Sequence, residues 1–204
     1  MSDYRVLQDI SLHLRRLLFE SLRGNDSTGS QFSSENSISL DSPPRIADKT
    51  APNANQARLS LYLYQLTPNA HSNNHPMIPV GPGRQQFPPL SLNLYYLLTP
   101  VCQLPEDNLV VLGRCLQVLA ANSSIRANFL DSWLRPDAPE VRITINPVSL
   151  EELTRVWNAF NEAYRLSVCY LVQVVSIDSA RAPQEEQPVS ERLLDIHQIV
   201  SNPR

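Results

Sequence analysis

The chain has 204 residues and a formal net charge of -3, which is enough for one domain, or one domain plus a tail, that buries a core without staples. Near-neutrality gives no bulk attraction to nucleic acid or an anionic membrane, and no window approaches the ~18 apolar residues of a membrane span. Cys102, Cys115 and Cys169 form no CxxC pair, so they read as buried thiols in a reducing compartment.

Charged residues Asp3, Arg5, Asp9, Arg15 and Arg16 interrupt the N-terminal apolar runs, so no secretory signal is visible and synthesis in the cytoplasm is expected. The spacing of Leu7, Ile10, Leu14 and Leu17 predicts an amphipathic helix over Asp3–Leu22, with Ser2 as its cap and Gly24 as its stop. Residues Asn25–Ser37 are rich in Ser, Asn and Gly and read as a flexible insert. Ile38–Leu40 reads as a short strand running into a rigid Asp41-Ser-Pro-Pro44 turn.

Three stretches dense in large apolar residues follow as strands: Leu59–Leu66, Leu90–Leu98 and Leu166–Ile177. In Leu90–Leu98 one face carries Leu90, Leu92, Leu94, Tyr96 and Leu98, yet the other still shows Tyr95 and Leu97. Strands of this kind need cover on both sides, from the chain's own helices or from a neighbouring subunit, and the chain has few helices to spare. Between the first two strands, Thr67–Pro89 reads as a long Pro-stiffened loop.

Leu109, Leu112, Leu116 and Leu119 mark a helix over Glu106–Ala121. Residues 125–134 are ambiguous. Val141, Ile143 and Ile145 alternate with Arg142, Thr144 and Asn146, as in a strand with one wet face. Ser149 and Glu152 form a capping box, with Val148 and Leu153 at the staple positions. The helix they start carries Leu150, Leu153, Trp157 and Phe160 on one stripe. The fold class is α+β: a mixed or antiparallel sheet of four to five strands with about three helices. Residues 1–179 form this domain. Residues 180–204 are a polar, Pro-bounded linker and an arm with Val189, Leu193, Ile196 and Val200 on one helical face and Leu194 beside them. Such an arm reaches for a partner or folds back over its own sheet.

The chemical inventory is thin, which points away from an enzyme. His71 and His75 lie four apart in a polar, Pro-flanked loop with no Cys, Asp or Glu beside them, a solvated pair rather than a metal site. His13 reads as a partly buried helix residue and His197 is uninformative. Gly81-Pro-Gly83-Arg84 is a turn, lacking the Lys-Ser/Thr and helix of a phosphate cradle. Glu151-Glu152 and Glu185-Glu186 do not converge on one substrate. Trp157 and Tyr164 read as core or interface aromatics. No catalytic residue, cofactor or metal ligand is expected. Of 17 basic residues, Lys49 is the one lysine; the arginine bias fits either protein contacts or genome composition.

In order along the chain stand SISLDSPPRI, LSLYLYQLTPN, PPLSLNLYYLLTP, NLVVLGRCLQVL, VRITINPVSLEELTRVWNAF and YRLSVCYLVQVVSID. Over roughly Tyr4 to Asp178 this succession resembles the Pvc16 N-terminal family, cap or terminator proteins of phage-tail-like contractile injection systems. The resemblance implies a tail-terminator-like fold and a structural role: a six-fold homo-oligomeric ring on the distal end of inner tube and sheath that stops polymerisation and anchors the last sheath ring. Expected partners are further copies of the chain, the sheath protein and the inner tube protein, with no nucleic acid or membrane. The particle is assembled after cytoplasmic synthesis and is either retained or released. Interface candidates are Arg114, the edge Val141, Arg142, Ile143 and Ile145, and the arm residues Val189, Leu193, Leu194, Ile196 and Val200. A transient assembly adaptor of the same machine is the second reading, and a small-molecule-binding domain the third.

Overall fold

The computed structural model describes residues 4–25, 27–48, 56–70, 76–125 and 140–185. They fall into two compact units, one within Met1–Asn74 and Pro89–Asp178, the other within His75–Pro88 and Ser179–Arg204.

The first unit is built on a six-stranded sheet in the order β1-β2-β5-β8-β7-β6. Its long central strands are β2 (Leu59–Pro68), β5 (Leu90–Pro100) and β8 (Val168–Ile177), paired antiparallel. Strand β7 (Val141–Ile145) runs antiparallel to β8. The two outer strands, β1 (Ile38–Ser39) and β6 (Ser124–Ile125), contribute two residues each, β1 parallel to β2. The sheet is therefore mixed and slightly wider than expected, because two-residue strands leave no alternation to read. Four α-helices accompany it: α1 (Val6–Arg23), α2 (Pro43–Ala47), α3 (Pro105–Ala121) and α4 (Leu150–Ala159).

Most of the two apolar faces of the central strands is covered from within the chain; Leu66 near the end of β2 and Leu90 at the start of β5 stay 46% and 51% exposed. On one face Leu59 and Leu61 of β2, Leu94, Tyr96 and Leu98 of β5, and Tyr170 and Val172 of β8 pack with α1 and α3 in the main core. On the other face Leu97 and Cys169 pack with Leu153 and Trp157 of α4. Tyr62 meets Phe160 edge to face at 5.7 Å. Of the two sources of cover left open by the sequence, the chain's own helices supply most of it; on this face it is α4, through Leu153 and Trp157, with Phe160 just beyond its end.

Helix α1 starts at Val6, so Arg5 rather than Ser2 holds the cap position, without a side-chain cap bond; Ser2 lies outside the described residues. The segment read as a flexible insert contains two 3-10 turns, at Gly29–Gln31 and Glu35–Ser37. Its anchors are Phe32, fully buried in the main core, and Thr28, whose hydroxyl donates to the Leu22 carbonyl at 2.7 Å. One aromatic among thirteen mostly polar residues was the signal to weigh. The Pro-Pro turn opens α2, with Pro at its first position, where a missing N–H costs nothing.

The stripe assigned to α3 is rotated. Val111, Leu112, Cys115, Val118 and Leu119 are buried, whereas Leu109 is 60% exposed. Apolar residues surround this helix on nearly every side, so periodicity does not fix its phase; packing on the sheet does. Leu150 shares the phase of Leu153 and Trp157, and Ile145 that of Val141 and Ile143, yet they are 65% and 54% exposed. Both lie past the surface that shelters the rest of their stripe. Leu166 precedes β8 and is 46% exposed.

The second unit holds a three-stranded sheet, β3 (Ile78–Gly81), β4 (Arg84–Gln86) and β9 (Gln184–Glu185). The stretch read as one long loop therefore contains a hairpin. Pro82 and Gly83 turn it, and Gly83 has φ 65, the positive value a type II turn requires after Pro. Arg181 stacks over the Phe87 ring at 4.8 Å.

Two local devices yield predictions. The Ser11 hydroxyl donates to the Leu7 carbonyl at 2.8 Å, so the Tyr96 hydroxyl is the donor in the buried 2.8 Å bond between Tyr96 and Ser11. Ser11→Ala strands the Tyr96 hydroxyl and should cost about 1–3 kcal/mol in urea denaturation, while adding Tyr96→Phe should recover most of the loss. The Ser149–Glu152 capping box forms as expected. The Glu152 carboxylate accepts from the Ser149 N–H at 3.0 Å and from its hydroxyl at 2.9 Å, while Ser149 Oγ accepts from the Glu152 N–H. Those two bonds, backbone before hydroxyl, hold the Glu152 carboxyl below its usual range. A depressed native pKa stabilises above the unfolded value, near ~4.3, and the contribution vanishes as pH falls through the native value. Thermal melts should show wild type above Glu152→Gln at neutral pH, with the gap closing at acid pH.

Candidate functional site

Trp157 organises the end of the molecule where α4 meets β8. Its ring lies edge-on to Phe160 at 5.8 Å and to Tyr164 at 6.4 Å. Its indole N–H donates to Ser167 Oγ at 3.2 Å, and the Ser167 hydroxyl donates to the Arg165 carbonyl at 3.1 Å. Asn161, with φ 56, turns the chain after the helix, a left-handed position that Asn tolerates. The connection is thus fixed, and it presents Glu162, Tyr164, Arg165 and Leu166 outward, with Leu150 and Ile145 also exposed at strand or helix ends. Among the described residues Glu162 and Arg165 make no ion pair.

The solvent side of α3 is a second apolar surface. Leu109 and Val110 are exposed, as is Leu104 just before the helix. Arg114 stands beside them. Its Nη1 donates to Gln117 Oε1 at 2.7 Å, its Nε is buried without a hydrogen-bond partner, and no described carboxylate pairs with it. An arginine flanked by exposed leucine and valine is the composition of a protein contact.

The other interface candidates separate. Arg142 and Ile145 are exposed on β7, but Val141 and Ile143 are buried in the main core and belong to the interior rather than to a surface. The β7 edge is also partly used. Strand β6 pairs with Val141 and Arg142, and the Ile143 N–H donates to the Ser123 carbonyl at 2.8 Å. Val189, Leu193, Leu194, Ile196 and Val200 lie outside the described residues, as do His71, His75 and His197. Sequence reasoning missed a longer edge. Strand β2 pairs with β1 only at Leu59 and Ser60, leaving Leu61–Pro68 with β5 as its one described neighbour. The run LSLYLYQLTP carries no charge to blunt that edge, and this was the readable signal.

The described residues offer little for chemistry. A groove of about 520 Å³ is lined by Gln31, Ser33, Ser34, Arg58 and Asp107 among others, one cation and one carboxylate among neutral side chains. Burial pushes the Cys115 thiol up to about 12 and the Cys102 thiol up to about 11, far from a reactive thiolate. Burial, reinforced by Arg16, lowers His13, which lines a second groove with Arg16 and Glu20. Among the described residues no three His, Cys, Asp or Glu side chains gather as metal ligands, and no helix is long and apolar enough to cross a membrane.

The fold is similar to that of the sheath/tube terminator of PVC, an extracellular contractile injection system, in its extended state. The TM-score is 0.60 at 19% identity, over 96% of this chain and 64% of the terminator chain. This chain therefore spans less than two thirds of the length of that relative. The tube-terminating cap of the anti-feeding prophage matches at 20% identity over 67% of this chain and 48% of its own, with a TM-score of 0.44, too low to support a shared fold by itself. Among curated proteins, no relative matches. The model of the Pvc16 N-terminal domain matches residues 9–191, nearly the whole sequence, and the chain belongs to that family.

Proposed function

We propose that this chain is a structural terminator of a phage-tail-like contractile injection system. Copies assemble into a closed ring, a hexamer by the family resemblance, on the distal end of inner tube and sheath. The ring ends polymerisation and anchors the last sheath ring. The observation that carries this reading is the family match over residues 9–191, supported by the terminator-like fold. The role is mechanical rather than catalytic, in keeping with buried thiols and exposed apolar surfaces.

Residues 1–179 serve as the ring-forming domain and residues 180–204 as a linker and arm. Val189, Leu193, Leu194, Ile196 and Val200 dock on the neighbouring sheath or tube, and the outer end of β7, at Ile145, and the open edge of β2 are available for strand addition. The particle is assembled in the cytoplasm, and the protein stays in it.

Purified particles test the reading. The protein should be found at one end of each intact particle, and its omission should give tubes and sheaths of uncontrolled length. Removal of residues 188–204 should leave rings that bind sheath ends at least about tenfold more weakly, as expected for loss of a docking segment. Monomers that ignore tube and sheath would contradict the proposal, and absence from intact particles of regulated length would favour a transient adaptor.

A further inference from the structure

The two unpartnered surfaces of the first unit complement each other. On α3, Glu106 and Arg114 bracket Leu109 and Val110; at the α4–β8 end, Arg165 and Glu162 bracket Tyr164, with Leu166 next to them. Each of the four charged side chains lacks an ion-pair partner among the described residues. Glu106 and Arg114 are eight positions apart on the helix, about 12 Å along the axis. Glu162 and Arg165 are three positions apart, at most about 10 Å between Cα atoms. The long arginine side chains bridge the difference.

One chain cannot make this match with itself. Helix α3 packs on the Leu98 face of the sheet and α4 on the Leu97 face, so the two surfaces lie on opposite sides of one layer. Two copies can make it, and because the surfaces differ, the contact is head to tail. A repeated head-to-tail contact closes into a ring when its rotation divides a full turn. We infer that the subunit–subunit contact joins the α3 surface of one copy to the Glu162–Leu166 surface of the next, with Arg114 against Glu162, Glu106 against Arg165, and Leu109 and Val110 covered by Tyr164 and Leu166. The inference rests on the ring reading and supplies its interface. Opposite charges beside an apolar centre fix the register; a same-surface, two-fold contact of antiparallel α3 helices would instead set Arg114 against Glu106 and close at a dimer, so the ring reading and the paired exchanges between the two surfaces decide against it.

Charge exchange on the full chain tests it, with native mass spectrometry and negative-stain images as the readout. Arg114→Glu and Glu162→Arg should each weaken ring formation at least about tenfold, and the double exchange should restore it to within about threefold of wild type. Unchanged circular dichroism and melting temperature report intact folding. Because Arg114 is partly buried, the exchange of the exposed pair, Glu106→Arg with Arg165→Glu, provides an independent second cycle. Rescue in either cycle supports the contact. Rings that persist in all four single variants, or a failure of both double exchanges to restore them, overturn it while leaving the ring reading intact. A wild-type chain that stays monomeric on tube and sheath ends overturns both.

Discussion

Leu97 and Leu98 are neighbours in sequence, and both are completely buried, on opposite faces of the same strand. A strand that is apolar on both sides has to lie between two layers. The rest of the unit follows from that need. Helices α1 and α3 form one layer and α4 with its aromatic side chains forms the other, each held where a short polar device fixes it. The Tyr96–Ser11 bond ties α1 to the sheet, and the Ser149–Glu152 box sets the start of α4. What stays exposed is Leu66 and Leu90 at the ends of β2 and β5, together with apolar residues beyond the ends or on the backs of the covering helices. Leu109, Val110, Ile145, Leu150 and Leu166 are of this kind.

That leftover surface suits a part that works by assembly. Cys115 and Cys169 are buried and Cys102 half-buried, all with raised pKa values, the larger of the two described grooves holds one cation and one carboxylate, and the exposed apolar residues sit beside arginines and glutamates that have no ion-pair partner among the described residues. Contacts of this composition owe affinity to a few buried anchors and orientation to their charges. Strand β2 adds a backbone edge along Leu61–Pro68. Main-chain pairing asks for extended backbone rather than for particular side chains, which is why a protein of this family carries so few sharp motifs outside its strands and caps.

Much of the architecture was legible in the sequence. The strand over Leu90–Leu98, the capping box at Ser149 and the Pro-Gly turn at residues 82–83 each have a local cause and appear in the structure, although Leu90, placed on the face of Leu92 to Leu98, is 51% exposed. The α3 phase was not legible, because leucine and valine surround that helix and only tertiary packing selects the Val111–Cys115–Val118 side. Leu150 was placed on the core stripe of its helix, and Ile145 both on the dry face of its strand and among the interface candidates; the phases are correct, but a stripe gives direction and says nothing of how far the covering surface extends. The same gap left the source of the sheet's cover open between the chain's own helices and a neighbouring subunit: the reach of Trp157, Tyr62 and Phe160 is a property of side-chain packing, not of spacing. The candidate surfaces were readable through Arg114 and, as a core-or-interface aromatic, Tyr164; the rest of the patch near Glu162 became visible once Leu166 proved exposed.

The central claim is that both sides of the sheet's centre, at Leu97 and Leu98, are covered within each subunit and that the exposed apolar residues of α3 and the α4–β8 end are what assembly covers. Oxidative side-chain footprinting of the isolated protein and of purified particles measures this directly. Modification of Leu109, Tyr164 and Leu166 in the free protein, its loss in particles, and protection of Trp157 and Leu97 in both states is the predicted pattern. Reactive Trp157 and Leu97 in the free protein, or Leu109 and Leu166 as reactive in particles as outside them, would contradict it.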